Sequence, residues 1–262
     1  MAGVGTGVLS AMFGVGGAIV STPAIRVLGA SAAVAVGTTL PSVIPSALTG
    51  TVRYARAQLI NWHAVRWTTP AGIGAAVGGA LLSKVVPGHG HWLMVLTAAL
   101  IGFSAWRMWR QERKVERASG LEKGAPSGGT GVAVSTGRVM PGLLLVIGCA
   151  SGLLSGLLGI GGGVVMVPAF TELAHMPLKT AIATSLACVG VFAVPGTITH
   201  AFLGDIDWRF ALFLTVGVIP GARLGAAVAI RATDKRLRMT VAAFLGIVSL
   251  VYAGSELAAL VR

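Results

Sequence analysis

The stretch GLLSGLLGIGGGVVMVPAF, residues 152–170, puts glycines at 152, 156, 159 and 161–163 and a proline at 168 inside a run apolar enough to cross a membrane. A helix in hydrocarbon must pair its backbone N–H and C=O groups within itself. A glycine cluster followed by a proline interrupts that pairing, so the stretch specifies a break at membrane depth rather than a plain spanning helix.

The composition fixes the solvent. With 55% apolar and 11% charged residues and a mean hydropathy of +0.84, the chain is an integral membrane protein. Apolar runs at 68–86, 92–109, 139–159, 181–203, 210–230 and 239–260 are each long enough to cross about 30 Å of hydrocarbon as a helix. Two more, 3–25 and 31–52, are interrupted by Gly or Pro. Period-two alternation is absent, which argues against a β-barrel. The opening MAGVGTGVLSAMFGVGG lacks a basic n-region, so no cleavable leader is expected. The net charge of +12 belongs to loops that fix orientation and does not point to nucleic acid. Cys149 and Cys188, with no CxxC and no nearby His, read as small buried hydrophobes.

The chain is a duplication. GVLSAMFGVGGAIVSTPAI (7–25) laid over residues 152–170 aligns Gly7, Leu9, Ser10, Gly14, Gly16, Gly17, Val20, Pro23 and Ala24 with identical residues. After one residue of slippage, Thr38, Leu40, Gly50, Thr51, Ile60 and Trp62 recur as Thr184, Leu186, Gly196, Thr197, Ile206 and Trp208. Low complexity does not reproduce Ser, Pro, Thr and Trp in register, so two structural repeats are expected. The organisation is a first membrane repeat at 1–110, a polar cytoplasmic linker at 111–138 and a second membrane repeat at 139–262. The loop with Arg53, Arg56 and Arg66 is matched by GDIDWR, with Asp205 and Asp207, and SKVVPGHGH (83–91) by the basic RATDKRLR (231–238). If basic loops face the cytoplasm, equivalent loops lie on opposite sides and the repeats are inverted. The expected fold class is an all-α polytopic membrane protein of two inverted repeats, each with a Gly-rich broken or re-entrant helix followed by about three spanning helices.

A break at depth leaves backbone groups that a substrate can use. Helices restarting after the glycines would aim N–H groups and partial positive charge at an anion, so Gly16, Gly17, Gly161, Gly162 and Gly163 form the expected backbone cradle. Thr38, Thr39, Thr184 and Ser185 stand near the start of the next span, as hydroxyl donors to a ligand or as local caps. Arg223, charged inside an apolar stretch, is either a counter-charge for an anion or a side chain that snorkels to the interface. His200, equivalent to Tyr54, either carries a coupling proton, lines the cavity, or sits satisfied at the interface. Gly7 and Gly152 read either as part of the site or as close helix packing. Gly162→Val is expected to stop transport and spare the fold. Deep carboxylates are scarce, which favours an anion over a cation, and no HExxH, nucleophile elbow or P-loop points to an enzyme.

GVGG and GIGGG, each followed by Pro at the same spacing, then TTL and TSL, then GTxxxxxxxxxxW in both halves, make the chain resemble the sulfite exporter TauE/SafE family over nearly its whole length. The resemblance implies a permease of the plasma or inner membrane, without a cofactor, that carries sulfite, sulfoacetate or another organosulfonate by alternating access. An anion channel and a non-transporting scaffold subunit are the alternatives. A proton or sodium as coupling ion and a homodimer as assembly are left open. Ala18 stands where the second repeat has Gly163, which implies an asymmetric site weighted towards the second repeat.

Overall fold

The computed structural model describes residues 2–27, 29, 32–82, 98–107, 110, 140–158 and 161–260, so the expected linker at 111–138 and the loop at 83–91 lie outside the described residues. The described residues are helical, without a strand: α1 Ala2–Phe13, α2 Ala18–Val27, α3 Ala32–Arg56, α4 Trp62–Leu82, α5 over 98–107, α6 Pro141–Leu158, α7 Gly163–Glu172, α8 Leu178–Phe202, α9 Trp208–Arg231 and α10 Asp234–Leu260. The order of α1–α5 recurs in α6–α10. Among the described residues, α8 and α9 have the length and apolarity of a membrane span.

The glycine clusters end α1 and α6 and restart the chain as α2 and α7. Prolines act differently. The run 31–52, expected to be interrupted, is from Ala32 onward one continuous helix through Pro41 and Pro45. Each proline removes one N–H, but the Thr39 and Ser42 hydroxyls bond carbonyls of the same turns, those of Val36 at 2.9 Å and Thr39 at 2.7 Å, and neighbouring helices enclose the segment. The entries to α4 and α9 are capped alike: Asn61 Oδ1 accepts from Ala64 N at 3.1 Å, and Asp207 Oδ1 from Arg209 N and Phe210 N at 3.0 and 3.3 Å.

The most extensive packing joins the two halves. α6 of the second half lies along α4 of the first, and α1 of the first along α9 of the second. Both seams are built from small residues at four-residue spacing. A Cβ on Gly148, Gly152 or Gly156 would collide with the backbone at Thr68, Gly72 or Ala76, and one on Gly221 or Gly225 with that at Val4 or Val8. Gly7 and Gly152 are therefore packing residues, which let backbones approach without an intervening side chain.

Two further registers define the path of the chain. Along α3 and α8, Leu40 lies by Gly196, Ala47 by Gly190 and Leu186 by Gly50, so these equivalent helices run antiparallel. Beside α3, Ser46 Oγ donates to Ser10 Oγ at 2.8 Å and Tyr54 Oη to the Ala11 carbonyl at 2.8 Å, while Thr22 of α2 returns to Thr39 at 3.5 Å. The chain thus reverses at its first break.

The outer surface is apolar along whole helices, as on α9, where Leu212, Phe213, Val216, Leu224 and Val228 are exposed. Trp62 and Trp208, at the starts of α4 and α9, are exposed as an interfacial aromatic pair would be. Cys188 is buried, but Cys149 lies on the outward face of α6 beside exposed Leu145 and Val146, correcting its reading as a core residue.

Gly152→Val is expected to eliminate folded, monodisperse protein, because its side chain meets the Gly72 backbone. Gly74→Ala, where a Cβ meets nothing within 4 Å, is expected to leave it unchanged. Size-exclusion profiles of the detergent-extracted variants check both.

Candidate functional site: the paired glycine breaks

Gly14, Gly16 and Gly17 have φ of 71°, 86° and 74°, and Gly161 and Gly162 have φ of 85° and 67°. This left-handed conformation is cheap only for glycine, and equivalent residues adopt it in both halves. The two breaks touch. A Cβ on Gly16 would lie 3.9 Å from Gly161 Cα, one on Gly161 would lie 3.8 Å from Gly16 Cα, and one on Gly163 would collide with the Gly14 carbonyl. Val43 of α3 and Val189 of α8 flank the junction.

The breaks use many of their own donors. Ala18 N donates to the Gly16 carbonyl at 2.9 Å, and Val20 N and Ser21 N to that of Gly17 at 3.1 and 3.3 Å. In the second half Gly163 N donates to the Gly161 carbonyl at 2.8 Å, and Val165 N and Met166 N to that of Gly162 at 3.2 and 3.1 Å. Gly163 lies inside α7, and Gly162 is its N-cap, with no side-chain cap bond.

The four expected hydroxyls divide into two kinds. Ser185 Oγ donates to the Gly14 carbonyl at 2.9 Å, directly on the first break. Thr39 bonds Val36 and faces Thr22. Thr38 and Thr184 tie the halves together instead: Thr38 Oγ1 accepts from Asp207 N at 2.9 Å, and Thr184 Oγ1 from Asn61 N at 3.1 Å. Each fixes the entry of the other half's helix.

His200 and Arg223 do not join this group. His200 is buried at the C-terminal end of α8, about 16 Å beyond Val189 at about 1.5 Å per residue, with Nδ1 3.4 Å from Asp205 Oδ2. Arg223 is on the exposed outer face of α9 with Leu224. Helical rotation decides this: α9 turns Val218, Ala222 and Ala226 inward, which leaves Arg223 outside.

The surroundings of the breaks are polar but uncharged. Thr6, Ser10, Ser21, Thr22, Ser42, Ser46, Ser151 and Ser155 are buried, whereas no Lys, Arg, Asp or Glu is buried among the described residues. Most of these hydroxyls escaped the sequence reading, because single Ser or Thr residues in apolar runs carry no pattern; only Ser10, repeated as Ser155, gave a signal. The first-half wall is the more hydroxylic: Ser21, Thr22, Ser42 and Ser46 stand where the second half has Met166, Val167, Cys188 and Phe192. Near the end of α7, Glu172 pairs with Arg107.

A family model described as "Sulfite exporter TauE/SafE" matches residues 1–252. The chain belongs to the TauE/SafE family. It is similar to the probable membrane transporter protein YunE of Bacillus subtilis, at 27% identity with 96% of each chain covered. It also resembles a probable membrane transporter protein of Xylella fastidiosa, at 29% identity over 84% of this chain and 79% of that one. No solved structure matches it significantly. Membership agrees with the apolar surface, and the TauE/SafE chain is a multi-pass membrane protein.

Thr184→Val removes the acceptor for a helix-entry amide and is expected to cost about 1–2 kcal/mol, read as lowered thermal stability in detergent. Thr240→Val, whose hydroxyl bonds only its own helix at Arg236, is expected to stay near wild type. Gly162→Val is now expected to lose folded protein, contrary to the sequence expectation. Its Cβ would lie 2.5 Å from the Ser151 carbonyl, at a φ that valine resists.

Proposed function

We propose that this TauE/SafE protein is a secondary transporter that moves a small sulfur-containing anion, such as sulfite, sulfoacetate or another organosulfonate, by alternating access. The observation that carries this reading is the contact of the two equivalent breaks at Gly16 and Gly161, inside an uncharged interior bearing hydroxyls. A transporter needs a place where backbone groups can meet a substrate at membrane depth and where two halves can part and close.

The halves are inverted repeats in this reading. The antiparallel run of α3 against α8 supports it, as does the reversal of the chain between α1 and α2, which makes the segment a re-entrant hairpin with no net crossing. Three crossings then remain in each half, an odd number, and equivalent loops fall on opposite sides. The basic residues of the sequence at 107–138 support a cytoplasmic linker.

The polarity of the helix restarts supports an anion, and so does the lack of buried carboxylates among the described residues. The cradle comprises Gly16, Gly17, Gly161, Gly162 and Gly163 with Thr39 and Ser185. Thr38 and Thr184 position the walls, and Arg223 stays outside the cradle. His200 with Asp205 is the group suited to a coupling proton. The name of the family, sulfite exporter, supports the substrate class.

The test is counterflow in proteoliposomes loaded with unlabelled sulfite, sulfoacetate, thiosulfate or sulfate, following entry of labelled sulfite. Saturable acceleration by one or two of these anions is the expected result. Flux that neither saturates nor shows counterflow would make the protein a channel, and no flux of any of them into vesicles holding folded protein would refute the anion reading.

A further inference from the structure

α3 and α4 are joined by the short turn 57–61, yet both pack on α8 rather than on each other. A groove of about 610 Å³ lies between them. Ala187, Gly190 and Val194 of α8 form its floor, Leu48 of α3 one wall, and Val65 and Ile73 of α4 the other. Small residues on the floor deepen the groove, and exposed Leu48 and Val194 open it outward. Trp62 lies at one end and is exposed, as a residue of the membrane–water interface is. From Trp62 to Ile73 the wall of α4 runs about 16 Å at about 1.5 Å per residue, half of the roughly 30 Å of hydrocarbon. That is the depth of one leaflet.

The interfacial end is positively charged. Arg66, one helical turn after Trp62, stands on the face of α4 that lines the groove, and Arg53 and Arg56 occupy the last turn of α3 at the same end. All three are exposed. The first 111 residues hold no Asp or Glu, and among the described residues no carboxylate pairs with any of these arginines. Glu172 and Asp234 pair with Arg107 and Lys179. The charge is not part of the duplication. In the repeated register Trp62 returns as Trp208, but Arg53, Arg56 and Arg66 are matched by Thr199, Phe202 and Leu212.

An apolar groove one leaflet deep, with cations only at its interfacial end, is complementary to a molecule with an acyl chain below and a negative charge at the surface. A small free anion would leave the apolar length empty. A second copy of the chain fits poorly, because a two-fold contact repeats the same patch and would bring arginines against arginines with no acid between them. We infer that the groove between α3 and α4 is a binding site for an anionic glycerophospholipid, with one acyl chain along α8 and the phosphate at Arg66, Arg53 and Arg56.

The experiment is native mass spectrometry of the full chain in detergent, titrated with dioleoyl phosphatidylglycerol or with dioleoyl phosphatidylcholine. Wild type is expected to bind one phosphatidylglycerol roughly tenfold more tightly than phosphatidylcholine. Arg66→Gln is expected to weaken phosphatidylglycerol roughly fivefold and to leave phosphatidylcholine as it was, and the combined Arg53→Gln, Arg56→Gln, Arg66→Gln variant to bind the two lipids alike. Val194→Trp, which fills the groove, is expected to remove both lipids, and Leu48→Trp takes its place if that variant is not monodisperse. Arg209→Gln and Val216→Trp, both on α9, are the controls and are expected to bind as wild type does.

Equal affinity of wild type for the two lipids overturns the site, as does phosphatidylglycerol binding that survives the loss of all three arginines or the filling of the groove. A dimer that Val194→Trp dissociates, with no lipid bound, gives the face to a second copy and overturns it too. None of these readouts depends on the solute carried, so the outcome is separate from that of the counterflow test.

Discussion

Two polypeptide backbones can touch only where no side chain stands between them, and the architecture rests on that constraint. It operates at the α4–α6 and α1–α9 seams and again where Gly16 meets Gly161. Without a hydrophobic driving force between helices in lipid, close backbone approach is a principal source of association, and glycine is the residue that allows it. Since both seams join one half to the other, the same contacts that hold the helices together also interlock the repeats.

That interlocking is carried by hydroxyls as well as by glycines. Thr38 and Thr184 each hold the amide at which the opposite half begins a helix. Asn61 and Asp207 cap those helices with different side chains, yet do the same work. The duplicated features are therefore of two sorts: packing and ties, kept equivalent in both halves, and the lining around the breaks, which is not equivalent. At the positions where the first half has the hydroxyls of Ser21, Thr22, Ser42 and Ser46, the second half has Met166, Val167, Cys188 and Phe192.

The sequence by itself determined the membrane setting, the duplication and the breaks. These follow from local properties: apolar run length, identities in register, and glycine's access to positive φ, found at Gly14, Gly16, Gly17, Gly161 and Gly162. Tertiary structure alone decided the rest. Whether Pro41 and Pro45 break α3 depended on neighbours that enclose it, and whether Arg223 faces the cradle or the outside depended on the rotation of α9 against α1. Gly152 packs a helix while Gly162 shapes a break, although one run of sequence contains both. The physical reason is that backbone conformation is set by each residue and its near neighbours, whereas the face a helix presents, and the partner a hydroxyl finds, are set by helices distant in the chain.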